Sequence, residues 1–285
     1  MLGPVLFTLY TTPLSRLIDS HKLRHEMYAD DTQLFHSSCP DDYSTLTQSL
    51  QDCVSDIKRW MSANRLKLND DKTEAIRFVT SASSTQHDFP RDIRLETSSI
   101  DFSGSVRNLG FIFDNDLTLK KHVLKTCQTA YSEIRRIGSI CHYLSFNATK
   151  TLVISLVLSR LDYCNSLFSG CPQSLIKLLQ QVQNSAAKLV FKARRSDHCT
   201  PLLKQLHWLP VEQRIKYKCA CLCYYVFTGT APAYLSELFH VYVPSRDLRS
   251  SSDKRIFRLP YFKHQRQCVF LRSCSDMEFP APSRP

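Results

Sequence analysis

The chain has 285 residues and a mass of 32.9 kDa, which is enough for one large domain or two ordinary ones with a buried core. Its hydrophobic fraction of 43% is close to the globular norm and excludes a fibrous or wholly disordered chain. The 37 Lys and Arg against 26 Asp and Glu give a net charge of +11, which favours a polyanionic partner without requiring one.

The N-terminal stretch MLGPVLFTLYTTPL is apolar, but it has no Lys or Arg before Arg16 and no small-x-small cleavage site. These features favour a buried helix over a signal peptide. The longest apolar run, 151–164, is broken by polar residues and too short to span a bilayer, so no membrane partner is expected. Twelve cysteines without a CxxC pair indicate reduced thiols in an intracellular chain, nuclear or cytoplasmic and not secreted.

The first 116 residues mix helical and strand-like patterns, which together predict a layered α+β domain. Apolar residues at three- and four-residue steps predict an amphipathic helix from Tyr43 to Ala63, with Asp41 and Asp42 as candidate caps. The polar stretch 81–92 predicts a surface loop. The strand-like pieces are 24–28, 32–36, 74–80, 98–102 and 106–113.

From residue 119 onward the pattern is helical, which predicts an all-helical second domain. The predicted segments are 119–140, 147–168, 173–194 and 211–227. Pro172 and Pro210 precede the third and fourth segments, where proline favours the first helical turn. The third segment carries one apolar face: Leu175, Leu179, Val182, Ala186, Leu189 and Val190. From Pro244 the chain is rich in Ser, Arg and Pro without a sustained period, which predicts a poorly ordered tail.

The stretch HEMYADDTQLFHS, 25–37, places Asp30 and Asp31 between two strand-like flanks. Such flanks predict a tight hairpin whose tip exposes both carboxylates while their neighbours pack. A lone Asp-Asp pair is most often a polar turn or a helix cap. Adjacent carboxylates gain a purpose if Mg²⁺ binds between them, because a hard cation prefers oxygen ligands and cancels their repulsion.

The YADD tetrapeptide with its apolar flanks resembles the catalytic hairpin of reverse transcriptases, and further pieces in the same order resemble the enzymes of non-LTR (LINE-type) retrotransposons. LGPVLFTLYTTPL (2–14) is similar to the helix after the template-contacting loop, and WMSANRLKLNDDKTE (60–74) to a later palm motif. NLGFIFDNDLTLKKHV (108–123) is similar to the primer grip. LDYCNSLFSG (161–170) and LHWLPVEQRIKYK (206–218) are similar to the helical thumb.

This resemblance, over about 1–260, implies a C-terminal fragment of such an enzyme. Its parts would be a partial palm of antiparallel sheet and helices at 1–116, a helical thumb-like domain at 117–240 and a poorly ordered tail at 241–285. The intact parent would perform RNA-directed DNA synthesis on an RNA template and a DNA primer with dNTP. Two Mg²⁺ (or Mn²⁺) about 3.5–4 Å apart would activate the primer 3′ oxygen and hold the leaving pyrophosphate.

The resemblance also assigns roles to single residues. Asp30 and Asp31 match the catalytic metal-binding pair, and Tyr28 would pack beside the primer end. Lys72 matches the palm lysine, which would protonate or neutralise the pyrophosphate, although NDDKTE alone favours a solvated lysine after a turn.

Leu109 and Gly110 fall in the primer-grip region and are candidate primer contacts. The aspartate that completes the metal site in this family lies upstream of the piece matched by LGPVLF, as do the fingers. The sequence after RIFRLPYFK also departs from the sequence with which related elements usually continue. Two carboxylates offer −2 to a metal pair carrying +4, so we expect the isolated chain not to polymerise.

Two basic clusters in the predicted helices could follow a template–primer backbone with salt-dependent, sequence-independent affinity. The first is Lys120, Lys121, Lys125, Arg135 and Arg136, and the second is Lys188, Lys192, Arg194 and Arg195. The alternative for each cluster is a solvated helix face. Two alternatives to a truncated polymerase therefore stay open: a non-catalytic RNA- or DNA-binding protein, and a relic with no selected function.

Cysteines and histidines in the second half are the remaining candidates for metal ligands. Cys219 and Cys223 lie four residues apart on one predicted helix, which favours packing, so no zinc is expected. His207 before Trp208 is predicted to be a core or interface histidine.

Overall fold

A computed structural model describes residues 2–36, 43–66, 68–69, 72–78, 92–94, 99–237, 239–241 and 257–258. Small antiparallel sheets and helices make up the described part, which confirms the predicted α+β class. Asp41, Asp42, most of the predicted loop and nearly all of the predicted tail lie outside the described residues. Among the helices that are described, none is both long and apolar enough to cross a bilayer.

The chain divides into two compact units. The first consists of Met1–Val106 with Asn115–Leu117, and the second of Arg107–Asp114 with Thr118–Pro285. No disulfide joins the cysteines that fall within the described residues of either unit.

The first unit is built on two helices and a hairpin. Helix α1 (Gly3–Ser20) leads into strands β1 (Arg24–Tyr28) and β2 (Asp31–Phe35), and helix α2 spans Tyr43–Ala63, the predicted bounds. Their shared core consists of Leu14, Ile18, Leu23, Cys53 and Ile57. Apolar residues at helical spacing on both helices bury this stripe, which is why the two helices pack together.

Polar contacts fix the position of α1 on α2. The Tyr10 hydroxyl donates to the carbonyl of Asn64 at 2.7 Å, and Nε2 of His21 lies 3.0 Å from Oδ2 of Asp56. Arg59 donates to the other oxygen of the same Asp56 carboxylate at 2.6 Å. These contacts fix α1, which leads into the β1–β2 hairpin, against α2.

The prediction of a strand at 74–80 is wrong for residues 74–78, the part of it that the structure describes. Only Ala75 pairs, in a single parallel bridge to Phe102, and its carbonyl accepts from the N–H of Ser103 at 2.8 Å. Arg77 instead lies over the Phe102 ring, 5.0 Å from its centroid. A β-like sequence without a partner strand has no ladder to join, so the segment stays irregular.

Short strands follow. β3 (Asp92–Arg94) pairs antiparallel with β4 (Ser99–Asp101), with Ile93 opposite Ile100. β5 (Ser105–Asn108) and β6 (Phe111–Asp114) form another two-stranded sheet, and His240–Val241 pairs with Phe257–Arg258. Asp92 thus begins a strand, although its sequence pattern predicts a loop.

The second unit is mainly helical. Its longer helices are α3 (Lys120–Ile140), α4 (Phe146–Val153), α6 (Gln173–Phe191), α7 (Cys199–Leu206) and α8 (Val211–Phe227). The short helices are α5 (Ser159–Asp162) and α9 (Ala233–Ser236). The predicted helix 147–168 is interrupted: a π-helical turn spans Ile154–Leu158, and a 3₁₀ turn spans Asn165–Phe168. Helix α7 was not predicted.

Helix α6 is the centre of this unit. Its predicted face is buried at Leu175, Leu179, Val182, Ala186 and Val190, with Leu189 partly buried. On the same helix the fully buried Gln183 donates to the carbonyl of Leu209 at 2.9 Å, and Oε1 of Gln180 accepts from the N–H of Val211 at 2.8 Å. These bonds satisfy buried polar groups and hold the start of α8 against α6.

Candidate functional site

The acidic pair lies at the tip of the β1–β2 hairpin. The strands are antiparallel, and Tyr28 pairs with Asp31, so the turn consists of Ala29 and Asp30 alone. Ala29 has a φ of +53°, the left-handed region that tight hairpin turns use. The hairpin and its tip are therefore as predicted, and Asp31 proves to be the first residue of β2.

One face of the hairpin is packed. His25 is opposite Leu34 and Met27 is opposite Thr32, and all four side chains are partly buried. Met27 and Leu34 pack against the core of the first unit. Because side chains alternate along a strand, this inner face orients the tip.

The other face is mostly exposed. Tyr28 and Asp31 form a directly opposed pair on this face, and Glu26 and the partly buried Gln33 form the next pair back from the tip. Opposed side chains of an antiparallel pair have Cβ atoms about 4.5–5.5 Å apart. The hairpin therefore places the predicted primer-contacting Tyr28 beside the predicted metal ligand Asp31.

His25 anchors the hairpin to α1. Its Nε2 is 2.7 Å from the Ser15 hydroxyl, and its Nδ1 is 3.5 Å from Oδ1 of Asp19. These three residues were not predicted from the sequence, although the i, i+4 spacing of Ser15 and Asp19 on a helix face is a signal that could have been used.

The donor set at the tip fits a hard divalent cation in type. Both Asp30 and Asp31 are exposed, and within the described residues neither carboxylate has a hydrogen-bond or ion-pair partner. Carboxylate oxygens are the ligands that Mg²⁺ and Mn²⁺ prefer. The described residues do not bring a third His, Cys, Asp or Glu to the pair, so the two carboxylates form only part of a coordination shell.

Lys72 lies in a local turn that explains its motif. The N–H of Lys72 is 3.2 Å from the carbonyl oxygen and 3.3 Å from Oδ1 of Asn69, and the Thr73 hydroxyl donates to the same carbonyl at 2.9 Å. Asn and Thr thus hold the backbone while the Lys72 side chain is exposed. No described contact joins Lys72 to Asp30 or Asp31.

The segment predicted to be a primer grip forms the turn of the β5–β6 hairpin. Leu109 and Gly110 are the two turn residues, with φ of +45° and +86°, as a type I′ turn requires. The Tyr163 hydroxyl donates to the carbonyl of Leu109, and its ring lies 3.8 Å from where a Cβ on Gly110 would be. Both predicted contact residues are exposed.

Asp114, at the end of β6, orders the loop that leads into the first basic helix. Its buried carboxylate accepts from the N–H of Leu119 at 3.1 Å and from the Thr118 hydroxyl. These bonds order the loop that enters α3, where the first basic cluster begins.

The first basic cluster occupies the exposed side of α3. Lys120, Lys121, Lys125, Arg135 and Arg136 are all exposed, whereas the opposite side of the helix is buried at Val123, Cys127, Ala130 and Ile137. The nearby Glu133 is mostly buried and forms ion pairs with Arg136 at 3.4 Å and Arg160 at 3.6 Å. The exposed side is therefore positive along about four turns.

The second basic cluster is less open than its sequence suggests. Nζ of Lys188 donates to the carbonyl of Arg195 at 2.5 Å, so the lysine is tied to the chain that follows. The N–H of Arg194 donates to Oδ2 of Asp197 at 2.7 Å, which brings an acid beside a stretch that contains none. Lys192, Arg194 and Arg195 have exposed side chains.

The candidate zinc residues serve packing. Cys219 and Cys223 are buried on α8, and Sγ of Cys219 lies 3.9 Å from the carbonyl of Ser166. The prediction of a core or interface position for His207 is wrong as to the core, because His207 is exposed and ends α7 with a φ of +57°, while Trp208 is buried.

Comparisons with known proteins bear on the first unit and the second hairpin. Residues 1–113 match the family model described as reverse transcriptase (RNA-dependent DNA polymerase). The match covers 113 of the 285 residues and contains Asp30, Asp31, Lys72, Leu109 and Gly110. No curated protein and no solved structure gives a significant match. The matched segment is therefore similar to reverse transcriptases, and the LINE-type assignment stays a prediction.

Proposed function

We propose that the chain is a fragment of an RNA-directed DNA polymerase of LINE type, whose reaction class is nucleotidyl transfer to a DNA primer on an RNA template. The observation that carries the proposal is the hairpin: Asp30 and Asp31 at an exposed tip, with Tyr28 opposed to Asp31. The family match over residues 1–113 supports the same reaction class independently of this geometry.

In this proposal Asp30 and Asp31 hold Mg²⁺ or Mn²⁺, which would polarise the primer 3′ oxygen and the leaving pyrophosphate. Tyr28 positions the primer end from the same face as Asp31. Lys72, exposed after its Asn69 turn, delivers positive charge or a proton to the pyrophosphate. The packed inner face of the hairpin keeps the two carboxylates oriented without contacting substrate.

The two carboxylates alone supply half the charge of two divalent ions, and the substrate phosphates must provide the balance. We therefore propose that residues 1–285 by themselves bind the metal weakly and do not extend a primer. The exposed cations of α3, together with Leu109 and Gly110 at the hairpin turn, would hold the nucleic-acid backbone.

The decisive experiment is Mn²⁺-induced broadening of amide NMR signals in the full chain. Signals of Tyr28 to Thr32 should broaden in the wild type and recover in an Asp30→Asn, Asp31→Asn variant. Glu26→Gln is a matched control, because Glu26 is an exposed carboxylate on the same face but away from the tip. Broadening that is unchanged in the double variant would reject the metal-binding role.

A non-catalytic RNA- or DNA-binding protein is the second candidate, favoured by the exposed cationic side of α3. Salt-sensitive binding of nucleic acid without selective broadening at the hairpin would support this candidate. Primer extension with Mg²⁺ or Mn²⁺ separates the candidates further: dNTP incorporation that disappears in Asp30→Asn would identify a working polymerase. Equal affinity for every polyanion would favour a relic.

A further inference from the structure

Helix α8 presents to solvent an aromatic surface that lies outside the hairpin tip and both basic clusters. Tyr217, Tyr224 and Tyr225 are 64%, 59% and 51% exposed. Tyr217 and Tyr224 are seven residues apart, so they share one helix face about 10.5 Å apart along the axis. The centroids of the Tyr224 and Tyr225 rings lie 6.3 Å apart.

This face lies opposite the packed side of the helix. Val211, Ile215, Cys219 and Cys223 recur at four-residue steps and are buried. These buried residues, rather than the exposed tyrosines, hold α8 to the rest of its unit. A hydrogen bond with Cys221 raises the pKa of the Tyr217 phenol, which places the Cys221 thiol on the same face.

The segment that carries these rings is predominantly basic. Residues 213–236 contain Arg214, Lys216 and Lys218 and no Asp or Glu. Arg214 is committed to Asp162, and Lys216 lies 3.0 Å from Glu212, whereas Lys218 has an exposed side chain next to Tyr217. A polyanion suits this surface better than a basic or neutral apolar partner.

We infer that the face formed by Tyr217, Tyr224 and Tyr225 binds single-stranded nucleic acid by stacking of bases on the tyrosine rings. Tyrosine suits this role because its ring stacks while its hydroxyl stays in water. Lys218 would contact a backbone phosphate beside the stacked base. Stacking accepts every base and does not read the 2′-hydroxyl, so RNA and DNA strands should both bind.

This surface goes beyond the hairpin proposal, since its binding needs neither metal nor dNTP. A failed metal-broadening experiment would leave the α8 surface standing, and loss of the α8 surface would leave the hairpin untouched. The test must separate base stacking from phosphate attraction, because the whole chain is basic and will attract any polyanion.

The experiment measures fluorescence-anisotropy binding of the full chain to three labelled strands of about 12 nucleotides: oligothymidylate, oligouridylate and an abasic strand with the same phosphates. Tyr217→Leu and Tyr224→Leu should each weaken binding of both base-containing strands about ten-fold. Tyr217→Phe should bind like the wild type, because phenylalanine keeps the stacking ring. Affinity for the abasic strand should not change in any variant.

Tyr143→Leu is the matched control, since Tyr143 is 83% exposed in the segment after α3 and has no role in the proposed surface. Unchanged thermal unfolding checks that the leucine variants fold. Equal affinity of the phenylalanine and leucine variants, or equal losses for abasic and base-containing strands, would overturn the inference. Equal affinity of the phenylalanine and leucine variants would instead fit a surface that docks an apolar protein segment, because such a surface tolerates leucine.

Discussion

The backbone N–H of Ile112 donates a hydrogen bond of 3.2 Å to Nδ1 of His122. Nε2 of the same ring lies 3.3 Å from the Thr126 hydroxyl, so the neutral tautomer with its proton on Nε2 satisfies both contacts. The ring also stacks on Phe111, with centroids 3.8 Å apart. His122 thus joins strand β6 to helix α3 in its uncharged form.

Acid should weaken the second unit through His122. Burial lowers the pKa of His122 from 6.5 to about 4, so between these values the unfolded state binds more protons than the folded state. The free energy of unfolding should therefore fall as the pH drops from 6.5 towards 4, by up to about 3 kcal/mol. Urea unfolding across this range measures the effect.

His122→Asn provides the comparison, because asparagine offers an acceptor to Ile112 and does not titrate. The variant should be less stable at neutral pH and should lose less stability on acidification than the wild type. Parallel pH profiles for the two proteins would contradict the assignment.

Removal of the Asp114 carboxylate should loosen the loop that leads into α3. Asp114→Ala deletes the acceptor for the Leu119 N–H and the Thr118 hydroxyl, which we expect to cost about 1–2 kcal/mol. Asp114→Asn keeps one acceptor oxygen and should cost less. Hydrogen exchange at the Leu119 amide and the first turn of α3 is the direct measurement, and equal exchange in the two variants would argue against this role of the carboxylate.

Substitution of Ala29 by glycine should stabilise the β1–β2 turn. A left-handed φ destabilises the folded state with alanine by about 1–2 kcal/mol. Glycine avoids this strain, but the greater entropy of its unfolded chain lowers the free energy of unfolding by about 0.4–1 kcal/mol. Ala29→Gly should therefore slow amide exchange in β1 and β2, and Ala29→Val should accelerate it. Slower exchange in the valine variant would be inconsistent with the left-handed turn.

The exposed side of α3 should determine the salt dependence of nucleic-acid binding. Lys121→Gln with Lys125→Gln should reduce the slope of log affinity against log salt by about 0.7–0.9 for each phosphate that is no longer neutralised. Lys177→Gln, at an exposed position of α6 outside both clusters, should leave the slope unchanged. Equal slopes in the double variant and the wild type would show that α3 is only a solvated face.

Periodicity predicted the parts of the fold that depend on local pattern. The bounds of α2 follow from apolar residues at helical spacing, and the buried face of α6 follows in the same way. The Asp30–Asp31 tip was predictable because period-two flanks left only a two-residue turn. These features are set by residues close in sequence, so the chain itself contains the signal.

Contacts between distant residues determined what periodicity missed. The predicted helix 147–168 stops at Tyr163, which is extended, and Cys164, with a φ of +51°. Tyr163 bonds the carbonyl of Leu109, and Asp162 pairs with Arg214, so tertiary partners override local helix propensity. Asp197 approaches Arg194 only because the chain turns after α6, which the charge count of 188–195 could not reveal.

The two-faced hairpin separates residues that folding requires from residues that only chemistry requires. A library of hairpin variants selected solely for correct folding should restrict Met27 and Leu34 and tolerate almost any residue at Tyr28, Asp30 and Asp31. Natural variation confined to the tip would then mark a chain selected for its fold alone. Variation over both faces would mark a decaying gene copy, and an unvarying tip would mark a chain still selected for its chemistry.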